Sequence, residues 1–399
     1  MEEVRAKGKN IIFYISLIGF FGIFATTISK NPVLPYFVKS LGAGDQVLGL
    51  ISAVSPFAGI IFSFPVGVLS DKIGKRLMLI IAALIFLSAP LMYLFITNAW
   101  WLIPVRFFHG MATAILGPIA STIIAEAYDN NKGEKLGIYS SATLIGRTLA
   151  PLAGGAIIAF CAAQGELFSY RAVYFTAFLI SIPVVLCAFL VKTGDTAVKK
   201  SIALNEFFIS FKYIIGNKMI LATALVDLST YFSFGIFETF APGYLKTAGY
   251  RPEIVGLIFS LQILSIALTK PLFGKLADKI DKRIQIALGL CILGFSVAAL
   301  PFVTSFASVL TVSMLFGLAM SFSTVATSAY VADVAKKEQL GASMGALSSI
   351  MDVGHSTGPL IAGTVITFLS LKAGFFSGFV LALFVVLLFV YFAYPRGTK

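Results

Sequence analysis

The chain reads as an all-α integral membrane protein, twelve transmembrane helices arranged as two pseudo-symmetric six-helix bundles, and three observations carry that reading. Of its 399 residues, 58% are hydrophobic and only 12% charged, with a mean hydropathy of +0.94. Too few polar groups remain to face water, so the chain belongs in a bilayer. Apolar runs of the length a helix needs to cross hydrocarbon, about 20 residues, recur twelve times. A ten-residue string, Gly67-Val68-Leu69-Ser70-Asp71-Lys72-Ile73-Gly74-Lys75-Arg76, returns 207 positions later as Gly274-Lys275-Leu276-Ala277-Asp278-Lys279-Ile280-Asp281-Lys282-Arg283.

In chain order the runs fall near 11–38, 46–70, 77–97, 101–127, 136–163, 170–192, 218–245, 252–274, 284–304, 307–333, 340–369 and 373–394. Basic residues precede the first, which is span-length and lacks a small-residue cleavage site, so an uncleaved first helix is expected. The duplication keeps register beyond the string: Pro35, Lys39, Gly42, Gly49, Gly110 and Glu126 fall on Pro242, Lys246, Gly249, Gly256, Gly317 and Asp333. Residues 1–192 and 218–399 are therefore expected to form two bundles of like topology, related by an axis along the membrane normal. Short alternating strands of the outer-membrane barrel kind are absent from the sequence.

Residues 193–217 form the polar link between the halves. Within it Ile202, Phe207, Phe208, Phe211 and Ile214 recur near helical spacing beside Lys199, Lys200 and Lys212, which predicts an amphipathic cytoplasmic helix lying on the inner leaflet. Lys and Arg set the orientation. Most cluster at the termini, in both copies of the string and in the link, whereas Lys39, Arg171, Lys246, Arg251 and Lys372 fall on the other side. Both termini are thus expected in the cytoplasm of a multi-pass protein of the cytoplasmic (inner) membrane. The net charge of +12 follows from that topology and does not point to nucleic acid. Cys161, Cys187 and Cys291 sit singly within spans, a pattern that argues against a disulfide framework or a metal site. No cofactor is expected.

The loop Gly-x-Leu-x-Asp-x-x-Gly-Lys-Arg between the second and third spans resembles the signature of the major facilitator superfamily, and the resemblance covers the whole chain. Gly67 would permit close helix packing and Gly74 supply backbone freedom in the tight turn. The resemblance implies that Asp71 docks on the amino-terminal end of the eleventh helix, where a carboxylate meets unpaired amides, and that Asp278 does likewise on the fifth. In the second copy Asp281 stands where Gly74 stands in the first. With Arg76, Gly274, Arg283 and the matched acids Glu126 and Asp333, these residues form an expected conformational lock. The family places such acids near the basic residues of the loop.

In the fourth span Arg106-Phe107-Phe108-His109-Gly110 is similar to the family's Arg-x-x-x-Gly motif, associated with proton transfer in proton-coupled members. Ser313 replaces Arg106 in the duplicate. His109 reads either as a hydrogen-bonding packing residue or as a proton carrier. The fifth span carries Gly146-Arg147-Thr148-Leu149-Ala150-Pro151-Leu152-Ala153-Gly154-Gly155, similar to the antiporter motif Gly-x-x-x-Gly-Pro-x-x-Gly-Gly with Ala150 for one glycine. The eleventh repeats it as Gly354-His355-Ser356-Thr357-Gly358-Pro359-Leu360-Ile361-Ala362-Gly363. Gly146, Pro151, Gly154, Gly155, Gly358 and Pro359 are expected hinge positions, since proline weakens the helical ladder while small residues let helices approach.

The remaining intramembrane charges divide by half: Lys30, Arg106 and Arg147 in the first, Asp227, Glu238 and Asp352 in the second. Buried charges need partners, so pairs across the halves are expected, Lys30 with Glu238 foremost. Asp227 and Glu238, eleven residues apart, share a helix face roughly 16 Å apart along the axis and could form a relay. Asp352 and His355 are close enough to touch, either as a proton site or as a contact stiffening the eleventh helix. Asp227, Glu238, Asp352, His355 and Arg106 are thus the candidate proton-coupling residues; Lys30, Asn31, Arg147 and His109 are the candidate substrate-cavity residues.

Taken together, the residues predict a secondary active transporter of the drug:proton antiporter branch, a monomer surrounded by membrane lipid. The resemblance implies export of small lipophilic compounds against protons by alternating access. The acid that many multidrug members carry in the first helix is missing; Lys30 and Asn31 occupy that region. The alternative is therefore a proton-coupled or facilitated transporter of an anionic or sugar-like metabolite. A receptor or a lipid-modifying enzyme on the same scaffold is disfavoured, because zinc spacing, a nucleophile elbow and a phosphate loop are all missing from the sequence.

Overall fold

The first apolar run does not form one helix. In the computed structural model, which describes residues 2–128, 131–193, 216–334 and 340–393, helix α1 (Glu2–Ile28) ends before Asn31 and Pro32, and α2 (Val33–Ser40) begins after them. Pro32 lacks an amide hydrogen and disfavours the helical conformation at the residue before it, so the run over 11–38 breaks there. The two pieces still make up one span-length segment, Asn10–Ser40.

The later helices follow the order expected: α3 (Asp45–Ile73), α4 (Lys75–Tyr93), α5 (Leu102–Ala127), α6 (Lys132–Phe160), α7 (Glu166–Leu190), α8 (Lys218–Thr247), α9 (Pro252–Ala277), α10 (Lys282–Ala299), α11 (Phe306–Val334), α12 (Leu340–Phe368) and α13 (Leu371–Ala393). Among the described residues there is no strand, and eleven segments are long and apolar enough to cross a membrane, α12 not being counted with them. The amphipathic helix expected near Phe207 and Phe211 lies outside the described residues. Both α6 and α12 continue helical through Pro151 and Pro359.

The two copies of the repeated string turn differently. Gly74, between α3 and α4, has φ of 92°, a region that side chains disfavour. Asp281 before α10 has φ of −61° and caps the helix instead, its Oδ1 accepting from the Arg283 amide at 2.9 Å. A glycine's freedom is thus exchanged for an N-cap.

The chain divides into two compact units that do not coincide with the sequence halves. One comprises Met1–Ala43, Phe57–Ile202 and Tyr250–Ser260; the other comprises Gly44–Pro56, Ala203–Gly249 and Leu261–Lys399. The first unit is built on an apolar core including Leu79, Phe86, Leu116, Ile119 and Ile124. It also takes in the opening turns of α9. Gly256 there packs on the Pro151 carbonyl, Gly155 packs on the Pro252 carbonyl, and the Leu152 amide donates to Ser260 Oγ at 3.1 Å.

The second unit takes in the opening turns of α3 in the same way. Gly49 packs on the Pro359 carbonyl and the Gly363 Cα, while Ser356 Oγ donates to the Ala53 carbonyl at 2.9 Å. At each of these glycines an added Cβ would run into neighbouring backbone, the close small-residue approach on which helix association in lipid depends.

Candidate functional site

Helix α8 is the most enclosed of the spans, yet it carries Thr223, Asp227, Ser229, Thr230, Ser233, Glu238 and Thr239, all buried. An apolar medium makes each of these costly unless it is hydrogen-bonded or functional. Two of them reach neighbouring helices of the second unit. Asp227, with no exposed surface, accepts from Thr327 Oγ1 of α11 at 2.8 Å, and its other carboxyl oxygen has no partner among the described residues. Glu238 Oε2 lies 2.9 Å from His355 Nε2 of α12. A helical side chain leans toward its own amino terminus, which lets Glu238 reach back to a histidine whose backbone carbonyl lies beside Gly235.

Small residues bring α8 and α12 together at this level. Gly354 abuts the Leu228 carbonyl, Gly358 the Phe232 carbonyl, and Gly235 the Pro359 ring. The rings of Phe234 and Tyr231 stand 5.3 and 6.3 Å from that of His355. The Glu238 and His355 side chains keep 10% and 17% of their surface open, whereas Asp227 has none exposed. Asp227 and Glu238 address different helices, and Asp352 is half-buried on α12.

In the first unit Arg106 and His109, one turn apart on α5, are each 1% exposed. His109 Nδ1 lies 3.5 Å from the Tyr93 hydroxyl at the end of α4, and Tyr93 stacks on Tyr174 of α7 with centroids 4.5 Å apart. Asn31 is buried and Lys30 half-buried beside the break between α1 and α2, while Arg147 is exposed on α6. On the same helix, Gly146 packs against the Phe20 carbonyl and Gly154 lies near the Asn31 carbonyl.

Several residues of the repeated string make paired contacts, one set in each unit. Lys75 bonds Glu126 in the first and Lys282 bonds Asp333, at 2.9 Å, in the second. Arg76 Nη2 donates to the Phe189 carbonyl near the end of α7, and Arg283 Nη1 donates to the Ala393 carbonyl at the end of α13, both at 3.0 Å. Each arginine thereby satisfies a carbonyl that a helix end leaves open and places its charge at the negative end of the dipole. Arg283 also clasps Asp281, whose carboxyl is held below its ordinary range chiefly by that hydrogen bond. Asp278 is exposed and Gly274 of α9 faces Val325 of α11 with room for a Cβ, while the surroundings of Gly67 and Asp71 lie outside what is described.

Sequence reasoning paired Glu238 with Lys30 and His355 with Asp352, and did not connect Glu238 to His355. The duplication held part of the signal: Glu238 maps onto Asn31, just beyond the end of α1, and His355 onto Arg147 of α6, and α1 and α6 are likewise packed together. Tyr93, Tyr174 and Thr327 were also passed over, since single polar residues in apolar helices carry no periodic mark.

The model of the Major Facilitator Superfamily matches residues 15–253 and 223–399. The chain belongs to the major facilitator superfamily. As a superfamily member it is a multi-pass membrane transporter rather than an enzyme. A transporter of this type from Methanocaldococcus jannaschii is 25% identical over 340 residues, covering 83% of this chain and 85% of its own. The multidrug-resistance efflux pump PmrA of Streptococcus pneumoniae is 29% identical over 280 residues, 67% of each chain. The multidrug resistance protein MdtG of Proteus mirabilis is 27% identical over 375 residues, 89% and 90% of the two chains. Among solved structures, a nucleoside transporter, NupG, superposes with a TM-score of 0.77 at 15% identity over 98% of this chain and 100% of its own. A D-xylose–proton symporter does so at 0.79 and 16%, covering 96% of each. At such identities the superpositions establish the superfamily fold.

Proposed function

We propose that this transporter exports small lipophilic compounds in exchange for protons, with the Glu238–His355 pair as the coupling element. The observation that carries this reading is the 2.9 Å contact between an acid and a base within the membrane, set in the glycine-lined seam of α8 and α12 and not fully enclosed. A proton arriving from outside neutralises Glu238, weakens its charge-assisted bond to His355, and frees α8 to shift against α12. Release of that proton inward restores the bond. Asp227, Asp352 and Arg106 join the coupling set as secondary members, and Lys30, Asn31, Arg147 and His109 as cavity members.

Efflux as the direction is supported by the relatives named as multidrug efflux pumps and by the Gly-Pro motif of α6 and α12. The proposed topology is twelve spans in two six-helix halves, both termini cytoplasmic, in a monomeric protein of the cytoplasmic membrane. The motif-loop residues, with Glu126 and Asp333, are proposed to bias the access equilibrium. A second reading, transport of an anionic or sugar-like metabolite, draws support from Lys30 and Asn31 standing where multidrug members carry an acid.

The test is a proteoliposome with a trapped pH dye and an imposed proton gradient, challenged first with lipophilic cations and then with organic anions. Proton movement triggered by cations and abolished in Glu238→Gln is the expected result. Movement by anions alone, or flux indifferent to the gradient and to the substitution, would overturn the antiport reading.

A further inference from the structure

The buried cluster around Arg106 has the wrong balance of groups for a closed structural network. Arg106 is always charged and 1% exposed, and it makes no ion pair with a described carboxylate; its Nε and Nη2 have no hydrogen-bond partner. Its electrostatic neighbours are Tyr93, Tyr174 and His109. With its oxygen accepting from the Arg106 guanidinium, the Tyr93 hydroxyl has its hydrogen free to donate to His109 Nδ1, 3.5 Å away. A neutral imidazole accepting at Nδ1 carries its proton on Nε2, and His109 Nε2 also has no partner. The Tyr174 hydroxyl, on a side chain with no exposed surface, has none either.

Every unmatched group here is therefore a donor, or a hydroxyl free to act as one, and the cluster carries a net positive charge. A buried charge persists in the membrane only with a counter-charge. We propose that Arg106, His109 and Tyr174 hold a small inorganic monoanion of halide size at the end of the first unit where α4 finishes and α5 and α7 begin. Tyr93, Tyr174, Phe86 and Phe37 close around the cluster, all fully buried, which disfavours a larger organic anion. The bound ion neutralises Arg106 and ties α5 to α4 and α7. The site is read by binding alone, without proton flux, so it and the coupling role of the Glu238–His355 pair can each fail without the other.

The experiment uses the purified full chain in lipid nanodiscs, exchanged into potassium gluconate and titrated with chloride, bromide or acetate at constant ionic strength while the thermal midpoint is followed. A saturable rise with chloride and bromide, absent with acetate and lost in Arg106→Gln, is expected. Should Arg106→Gln fail to fold, Tyr174→Phe and His109→Gln carry the test: each removes one donor and is expected to weaken apparent chloride affinity by roughly tenfold. A rise equal for acetate and chloride, a rise that never saturates, or unchanged chloride affinity in Tyr174→Phe and His109→Gln would each overturn the site.

Discussion

Glu238 on α8 and His355 on α12 sit 2.9 Å apart, at a level where Gly235, Gly354 and Gly358 hold the two helices in backbone contact. Replacing Glu238 with Gln preserves a hydrogen-bonding group and removes the titrating one. Substrate counterflow without a gradient should continue, while gradient-driven accumulation should fall by at least about tenfold, a loss of roughly 1.4 kcal/mol in driving coupling. A Glu238→Gln/His355→Gln double-mutant cycle in thermal stability should give a coupling of about 1–2 kcal/mol. Additive effects would mean the pair does not act as a unit.

Asp227 offers the opposite case, a sealed carboxyl with one oxygen unmatched. Asp227→Asn keeps an acceptor for Thr327 Oγ1 and removes a group whose charged form is costly in hydrocarbon. The thermal midpoint should be unchanged or higher. A drop equivalent to more than about 2 kcal/mol would show that the ionised carboxylate stabilises the fold.

The glycine seams should be intolerant in a graded way. At Gly354 and Gly358 a new Cβ meets the Leu228 and Phe232 carbonyls, whereas at Gly117 of α5 nothing lies within 4 Å. Alanine at either of the first two should destabilise by about 1–3 kcal/mol; Gly117→Ala should be neutral or slightly stabilising. Equal tolerance at all three positions, measured by thermal aggregation in detergent, would contradict the packing described.

Asp281 gives a pH dependence whose sign follows from its lowered carboxyl. A group depressed on folding contributes stability that is complete above the usual carboxylate range and disappears as pH falls through its lowered value. The stability difference between the protein and Asp281→Ala should therefore be constant, at about 1 kcal/mol for a helix cap, from neutral pH down to the usual carboxylate range. It should shrink below that. Asp281→Gly, which restores the residue of the first copy, should cost only a few tenths. A difference that grows on acidification would refute the assignment.

The duplication and the span order were legible in the sequence because they rest on periodicity and repetition. The break at Asn31 and Pro32 was marked by the polar stretch Ser29-Lys30-Asn31 and by the proline, but it lies inside a run whose total length is that of a single span. The partner of Glu238 was hidden for a different reason. In a soluble helix the polar face declares the helix's rotation, but α8 is apolar or small almost all round, so nothing in its pattern says which neighbour each carboxyl meets. Arg106 announced itself as costly, yet its surroundings of Tyr93 and Tyr174 could be found only from the packing of α4, α5 and α7.

The seams at Gly49 and Gly256 bear on how such a chain could have arisen. Each joins the opening turns of one half's second helix to the Gly-Pro helix of the other half, through equivalent residues: Gly49 with Pro359, Gly256 with Pro151. A single ancestral half, meeting a second copy of itself, would have made both contacts at once, since each pairs the same two segments. Gene fusion then needed only to join partners that already fitted, and the later divergence of Arg106 from Ser313 and of Asn31 from Glu238 became possible because the two copies no longer had to be the same.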